Sequence, residues 1–456
     1  MDTVLDGLAE NPALPSRLLD RLVAIADGVM SLELARRDDL TPAHVRTLLA
    51  RDDHAVVHVL LSQGLVAPSD VPLTDPWVAL AVTEHPSSDP AVARSLSVHP
   101  DHEIRVRLPE RAHRLPPDVI DRLAHDPDEW VVAELVHFHP LPVALAEELS
   151  GHPSIEVRRF LAGSPHTPAH VLVRLSGEDG LSARLATNPA TPAPIAADLV
   201  RHPSVHLWLA SRTDLPPEVY SQLATNPRLH PELAANPAVP GELLRQLEES
   251  RAVHRALVKN PAVPLDLLVE VSSTERIGPF PVPRVASASE AELRMLASSS
   301  VVSARVLVAE RADLPADVFA RLLDDPSPGV AAAIVTNPAV TVDQLRSLVS
   351  RHGPRLHPWA ARNPLCPPDL LHQMAEHAEA EEKTYRAIAR HPQARGETLL
   401  LCLHDPQARH LAACHPNLPP PMIVELLASE FTARPAAANP SLPVSVMEEL
   451  LENVGS

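Results

Sequence analysis

Histidine is the commonest residue here that can ligate metal or exchange a proton near neutrality, with 25 in the chain. Nine of them, His85, His99, His139, His152, His202, His230, His357, His391 and His415, stand immediately before proline, where other segments carry Asn or Asp. That placement reads as a polar break residue rather than a ligand. No His-Glu-x-x-His or Cys-x-x-Cys spacing occurs. Cys402, His404, Cys414 and His415 are the one set close enough to converge on zinc or a redox centre, although buried cysteines acting as small apolar residues suit the same positions. No metal or cofactor is assigned. Walker loops, Gly-x-Gly-x-x-Gly and Gly-x-Ser-x-Gly are also missing, so the chain reads as a non-enzyme.

A second constellation is more regular. His58, Arg105, Arg158, His206, His230, His254, Arg305, His357 and Arg409 occupy equivalent positions in a recurring short helix. His206, His230 and His254 are 24 residues apart, so stacked units would align them in a column. Arg and His on one face suit an acidic peptide, more strongly as histidine protonates; a solvated ridge whose Arg stems cover the neighbouring unit is the structural alternative. Trp77, Trp130, Trp208 and Trp359 all fall in the same short helices, as binding anchors or as plugs between Ala and Val.

These residues need a scaffold, and the prolines define it. The proline that opens each apolar stretch recurs at Pro168, Pro192, Pro216, Pro240 and Pro264, an interval of 24, and elsewhere at 22 to 28. About 18 units follow, covering the chain. In the unit Leu215–Pro240, Pro217–Ala224 has helical apolar spacing, Asn226-Pro227 breaks it, and a shorter helix ends at Leu233-Ala234 before Asn236-Pro237. Asn or Asp caps a helix start, proline fits the first helical position, and the residue before proline avoids the α region. Each unit is thus a helix A and a helix B of at most two turns, partly 3₁₀. Roughly five apolar side chains at about 1.5–3 kcal/mol each do not offset ordering some 24 residues at about 1–2 kcal/mol apiece. Only stacking closes that gap.

The expected fold class is therefore all-α: a right-handed α-solenoid of two-helix units, period 24–26. Residues 1–456 read as one solenoid, with 1–41 and 443–456 as capping units and an irregular break about 272–289, where Ile277–Pro283 is incompatible with helix. The acidic run Glu376, Glu379, Glu381 and Glu382 reads as a solvated helix face.

Composition narrows function further. Proline is 51 of 456 residues, glycine 13, and aromatics 2%, which opposes β-sandwiches and barrels. An apolar share of 45% opposes disorder. The net charge of −19 opposes nucleic acid and anionic membranes as partners. Three scattered cysteines, no leader-like opening and no long apolar run lead to a cytoplasmic expectation.

Val157-Arg158-Arg159-Phe160-Leu161-Ala162, and Leu181-Ser182-Ala183-Arg184-Leu185-Ala186 before Asn188-Pro189, resemble the bacterial leucine-rich repeat variant (LRV) family. The resemblance spans the chain and implies alternating α- and 3₁₀-helices in a right-handed superhelix with a binding role. One such protein holds an iron–sulfur centre in an N-terminal cysteine cluster; this chain has no cysteine before Cys366, and the cofactor is not carried over. The leading expectation is a protein- or peptide-binding scaffold, acidic peptides among its expected partners, using Arg105, Arg158, His206, His230, His254, Arg305 and Trp208. A metal- or Fe–S-dependent regulator, or a repeat-fold enzyme acting on nucleic acid, are the alternatives.

Overall fold

Proline and polar break residues divide this chain into short helices, and helix is the only regular secondary structure among the residues described. The structure is a computed structural model describing residues 2–178, 180–247, 250–274, 282–377 and 382–452. No helix is long and apolar enough to cross a membrane.

The unit read from Leu215 to Pro240 forms as its punctuation dictates. Helix A is Pro217–Leu223, a 3₁₀ turn covers Pro227–Leu229, and helix B is His230–Ala235. The opening prolines sit at the N-cap rather than inside the helix: Pro116 has φ −62° and ψ 149°, the extended geometry a cap requires. With Asp before it, proline occupies the first turn instead, as at Asp75-Pro76 and Asp405-Pro406, where the carboxylate accepts from backbone N–H groups of the new helix. Helix B exceeds the two turns expected of it: His102–Arg111 and Glu129–Phe138 each have 10 residues.

Packing explains the composition. Leu161, Leu185, Leu209 and Leu233 are fully buried at the same register, each followed by an alanine, Ala162, Ala186, Ala210 and Ala234, with 0% exposure. Leucine fills the space between helices, while alanine lets the next helix B approach closely. Neighbouring helices accordingly pack in sequence order, as in His102–Arg111 on Glu129–Phe138 and that helix on Ile155–Gly163.

Contacts group the chain into two units, Ala26–Glu248 and a unit uniting Met1–Ile25 with Glu249–Ser456. Residues 1–41, read as one cap, thus divide between them. In the second unit Asp2–Glu10 packs on Ala433–Ala437 and on Val444–Glu452. Gly7 permits this: a Cβ there would lie 2.3 Å from the Arg434 carbonyl oxygen. Glu10 pairs with Arg434, and Arg17 with Glu448. The chain's first residues therefore occupy the place of a further repeat on its last.

Within the expected break, one helix runs to Thr274 and Pro283 begins the next, while 275–281 lie outside the described residues. The acidic run does not share one helix: Glu376 ends Pro368–Glu376, Glu382 begins Glu382–Ile388, and Glu379 and Glu381 lie outside the described residues.

Candidate functional site

The Arg/His column lands on helix B and turns back into the protein. Arg105 donates from Nη1 to the carbonyls of His99 (2.8 Å) and Pro100 (3.3 Å), and from Nε and Nη2 to Asp126 of the next repeat. Arg305 repeats this with Ser299, Ser300 and Asp325. Arg158 bonds the carbonyls of His152 and Pro153 and the Glu178 carboxylate. Their side chains are 14%, 15% and 19% exposed respectively, so these guanidinium groups are largely enclosed. Hydrogen bonds to Asp126 and Asp325 raise the pKa values of Arg105 and Arg305.

The histidines do the same work with one bond. His206 Nε2–H donates to Val200 O at 2.6 Å and His230 Nε2–H to Ala224 O at 2.9 Å, each six residues back. Half-buried His254 is also partnered. A helix ends with carbonyls that lack intrahelical donors, and a cation beside them is favourable. Arg105, Arg158, Arg305, His206 and His230 thus cap the carbonyls that follow helix A, and the three arginines also clamp adjacent repeats. Trp208 differs: it is 40% exposed beside Leu207 at 48%, and Trp77 and Trp130 are 38% and 48% exposed, so none of the three plugs the core.

A second set of polar side chains links repeats, and it was hidden among the Asn-Pro pairs. Asn188 is 1% exposed; its amide donates to Ala162 O and Ser164 O of the preceding repeat, while its Oδ1 accepts from Ala190 N–H. Asn236, Asn363 and Asn439 bridge the same way, and Asn11 bridges Ala437 O and Asn439 O. Buried His139, His391 and His415 replace Asn, each donating from Nε2 to a carbonyl one repeat back. Burial holds their pKa values below the usual histidine range. Capping, the role read from sequence, holds for Asp before proline; these Asn and His are rungs between repeats.

The possible metal set does not assemble. His415 uses Nδ1 to accept from Asn417 N–H and Nε2 to donate. Cys402 is buried, its thiol pushed up to about 12 by burial, and exposed Cys414 donates to Leu411 O. Among the described residues no three His, Cys, Asp or Glu side chains are grouped to hold an ion.

Unbalanced charge is found elsewhere, on the helix B face of His357–Ala360, Glu382–Ile388 and Pro406–Ala413, which pack side by side. Two adjoining cavities of about 400 and 540 Å³ open there and share Arg386 and Arg390. Arg386 is bound to Asp405 and Glu382. Exposed Arg362, Lys383, Arg390 and Arg409 line the cavities with no carboxylate partner among the described residues. Arg362 stacks over Trp359 at 4.7 Å, and Arg409 bonds only the Leu403 carbonyl. Phe431, 85% exposed, forms the far wall. His410 Nδ1–H donates to the Phe431 carbonyl, and buried Thr432 donates to Leu426 O, which fixes the turn presenting that ring.

A third cavity, about 320 Å³ beside Trp77, contrasts with these. Its one carboxylate, Glu84, lies between His58 (2.5 Å) and Arg111 (2.7 Å) and leaves no cation in excess. The groove had a signal in the sequence that the column obscured: Arg362-Asn363-Pro364 and Arg390-His391-Pro392 place an arginine just before the rung residue in two successive repeats.

No protein-family profile and no curated protein matches the chain.

Proposed function

We propose that this chain is a non-catalytic peptide-binding scaffold, a right-handed α-solenoid of the leucine-rich repeat variant kind working in the cytoplasm, and that it holds acidic peptides in the groove between Trp359 and Phe431. The observation that carries this reading is the set of four exposed cations without carboxylate partners among the described residues, lining joined cavities in a chain of net charge −19. Arg105, Arg158 and Arg305, by contrast, each bind a carboxylate of the next repeat. Unmatched cations repel one another, so an anionic partner gains both attraction and relief of that repulsion. Phe431 adds apolar area of the kind that anchors interfaces. Arg105, Arg158, His206, His230 and Arg305 are then structural supports of the surface.

The test is fluorescence anisotropy with a labelled Glu-rich peptide at low salt. Reversing two exposed charges, Lys383→Glu with Arg390→Glu, removes about 1–2 kcal/mol of attraction, roughly a five- to thirtyfold rise in Kd. No saturable binding by the wild type would end the reading, and equal binding by the variant would move the site. A single-stranded DNA of equal charge binding more tightly than the peptide would favour the nucleic-acid alternative.

A further inference from the structure

The groove has a repeat, and that repeat constrains the ligand. Arg362 precedes the rung residue Asn363, and Arg390 precedes the rung residue His391, whose Nε2 bonds Asn363 O across the repeat boundary. The two arginines are therefore register equivalents on adjacent repeats; in the next repeat Cys414 holds that register before His415, and Arg409 stands on the same helix at the column position. Packed helices lie about 8–10 Å apart, so Arg362 and Arg390 stand at roughly that interval.

Three ligand conformations can be set against this interval. In a β-strand, side chains on one face recur every two residues, about 6.7 Å, which falls short of one repeat. An α-helix brings side chains onto one face about 5–6 Å apart at three or four residues and about 10.5 Å apart at seven, the first short of one repeat and the second beyond it. A polyproline II chain has three residues per turn and rises about 3.1 Å per residue, so every third side chain shares a face at about 9.3 Å. It also leaves its backbone hydrogen-bonding groups solvated, which suits an open groove whose lining is mainly side chains.

We infer that the groove selects an extended, polyproline-like acidic peptide with carboxylates three residues apart against the register pair Arg362 and Arg390, the same spacing carried on toward Arg409, followed by an apolar side chain against Phe431. This rests on the acidic-peptide reading above and adds the ligand's register to it. Phe431 lies one helix beyond Arg409, which puts the apolar residue about three positions after the last carboxylate.

Three labelled peptides of identical composition, rich in Pro and Ala with three Glu and one Leu, test this against the full chain. One carries Glu at every third position with Leu three further on, one carries Glu at every second position, and one carries Glu as a contiguous block. The expected result is a Kd about tenfold lower for the first peptide, equivalent to placing two further charge pairs correctly. Arg362→Ala and Arg390→Ala, both exposed and outside the rungs, should each abolish that preference while circular dichroism stays unchanged. Equal affinity for all three peptides, or a preference for either control, overturns the register and leaves acidic-peptide binding standing. Absence of binding by all three overturns both.

Discussion

The bridging asparagines can be tested one atom at a time at Asn188. Its amide donates 2.8 and 2.9 Å bonds to Ala162 O and Ser164 O and accepts a 2.8 Å bond from Ala190 N–H, at 1% exposure. Asn188→Leu leaves two carbonyls and one N–H without partners; at about 1–3 kcal/mol per orphaned group, relaxation included, the loss is about 3–5 kcal/mol. Asn188→His should cost only about 1–2 kcal/mol, because one carbonyl loses its donor while Nε2 and Nδ1 keep the other contacts, as His391 and His415 do. Asn188→Asp keeps the bond from Ala190 but turns a carboxylate toward two carbonyl oxygens. It should be the worst at pH 7.5, at about 4–5 kcal/mol for a pKa raised by three to five units, the upper value capped because a carboxyl lifted above the pH takes up a proton. A raised folded pKa means stability present at low pH and lost as pH rises, so this variant alone should recover toward pH 5. Hydrogen exchange by mass spectrometry over residues 155–192 reads the local opening, with tenfold faster exchange for each 1.4 kcal/mol. If His is no better than Leu, or Asp shows no acid recovery, the rung does not act through these hydrogen bonds.

Three further outcomes follow from the same geometry. His391 and His415 accept an N–H at Nδ1 and are buried, which lowers their pKa values; they fold neutral, so stability is full above about pH 6.5 and falls by up to about 1.4 kcal/mol per unit for each histidine as pH drops toward the folded values. A melting temperature that does not move between pH 7.5 and 5.5 would refute this. Burial pushes the Glu310 carboxyl up to about 7, and its Oε2 has no partner; the folded form retains a proton that the unfolded chain releases, so stability declines as pH rises through that range. Glu310→Gln should therefore stabilise by about 1–3 kcal/mol at pH 8 and little at pH 5, read as urea midpoints. Arg305→Ala strands the Asp325 carboxylate, whose side chain is 6% exposed, and should cost about 3–5 kcal/mol. Acidic-peptide affinity should stay within about twofold, because Arg305 lies outside the groove; a large loss of binding would return function to the column.

Local features of this protein were legible because they are written in neighbouring residues. Proline removes a donor and fixes φ, Asp beside it caps, and a period-3.6 apolar pattern follows, so the helices Pro217–Leu223 and His230–Ala235 lie where their residues place them. Helix B runs longer than its sequence suggests where Asp101 and Asp128 cap it from outside, and in His102–Arg111 even Pro109 lies inside the helix. The candidate site was harder to read. The regular column was visible as a spacing, yet a spacing does not say whether Arg158 points to solvent or to the carbonyls of His152 and Pro153. Asn188 and Asn226 both precede proline, but Asn226 accepts from Arg228 N–H in its own repeat while Asn188 reaches back a repeat.

Sequence by itself therefore determined the unit: its length, its two helices, its aliphatic seam and the all-helical class, because each depends on hydrogen bonds and steric limits spanning a few residues. Tertiary structure decided which charges remain. Arg105, Arg158 and Arg305 become internal because stacking brings Asp126, Glu178 and Asp325 against them from the next repeat. Arg362, Lys383, Arg390 and Arg409 stay available because, among the described residues, stacking brings no carboxylate to them. Met1–Ile25 joins the far end of the chain for the same kind of reason: Asn11 and Gly7 fit the last repeat as any rung and seam would. Charge acts through space, and the partners that cancel it lie one repeat away or at the other terminus.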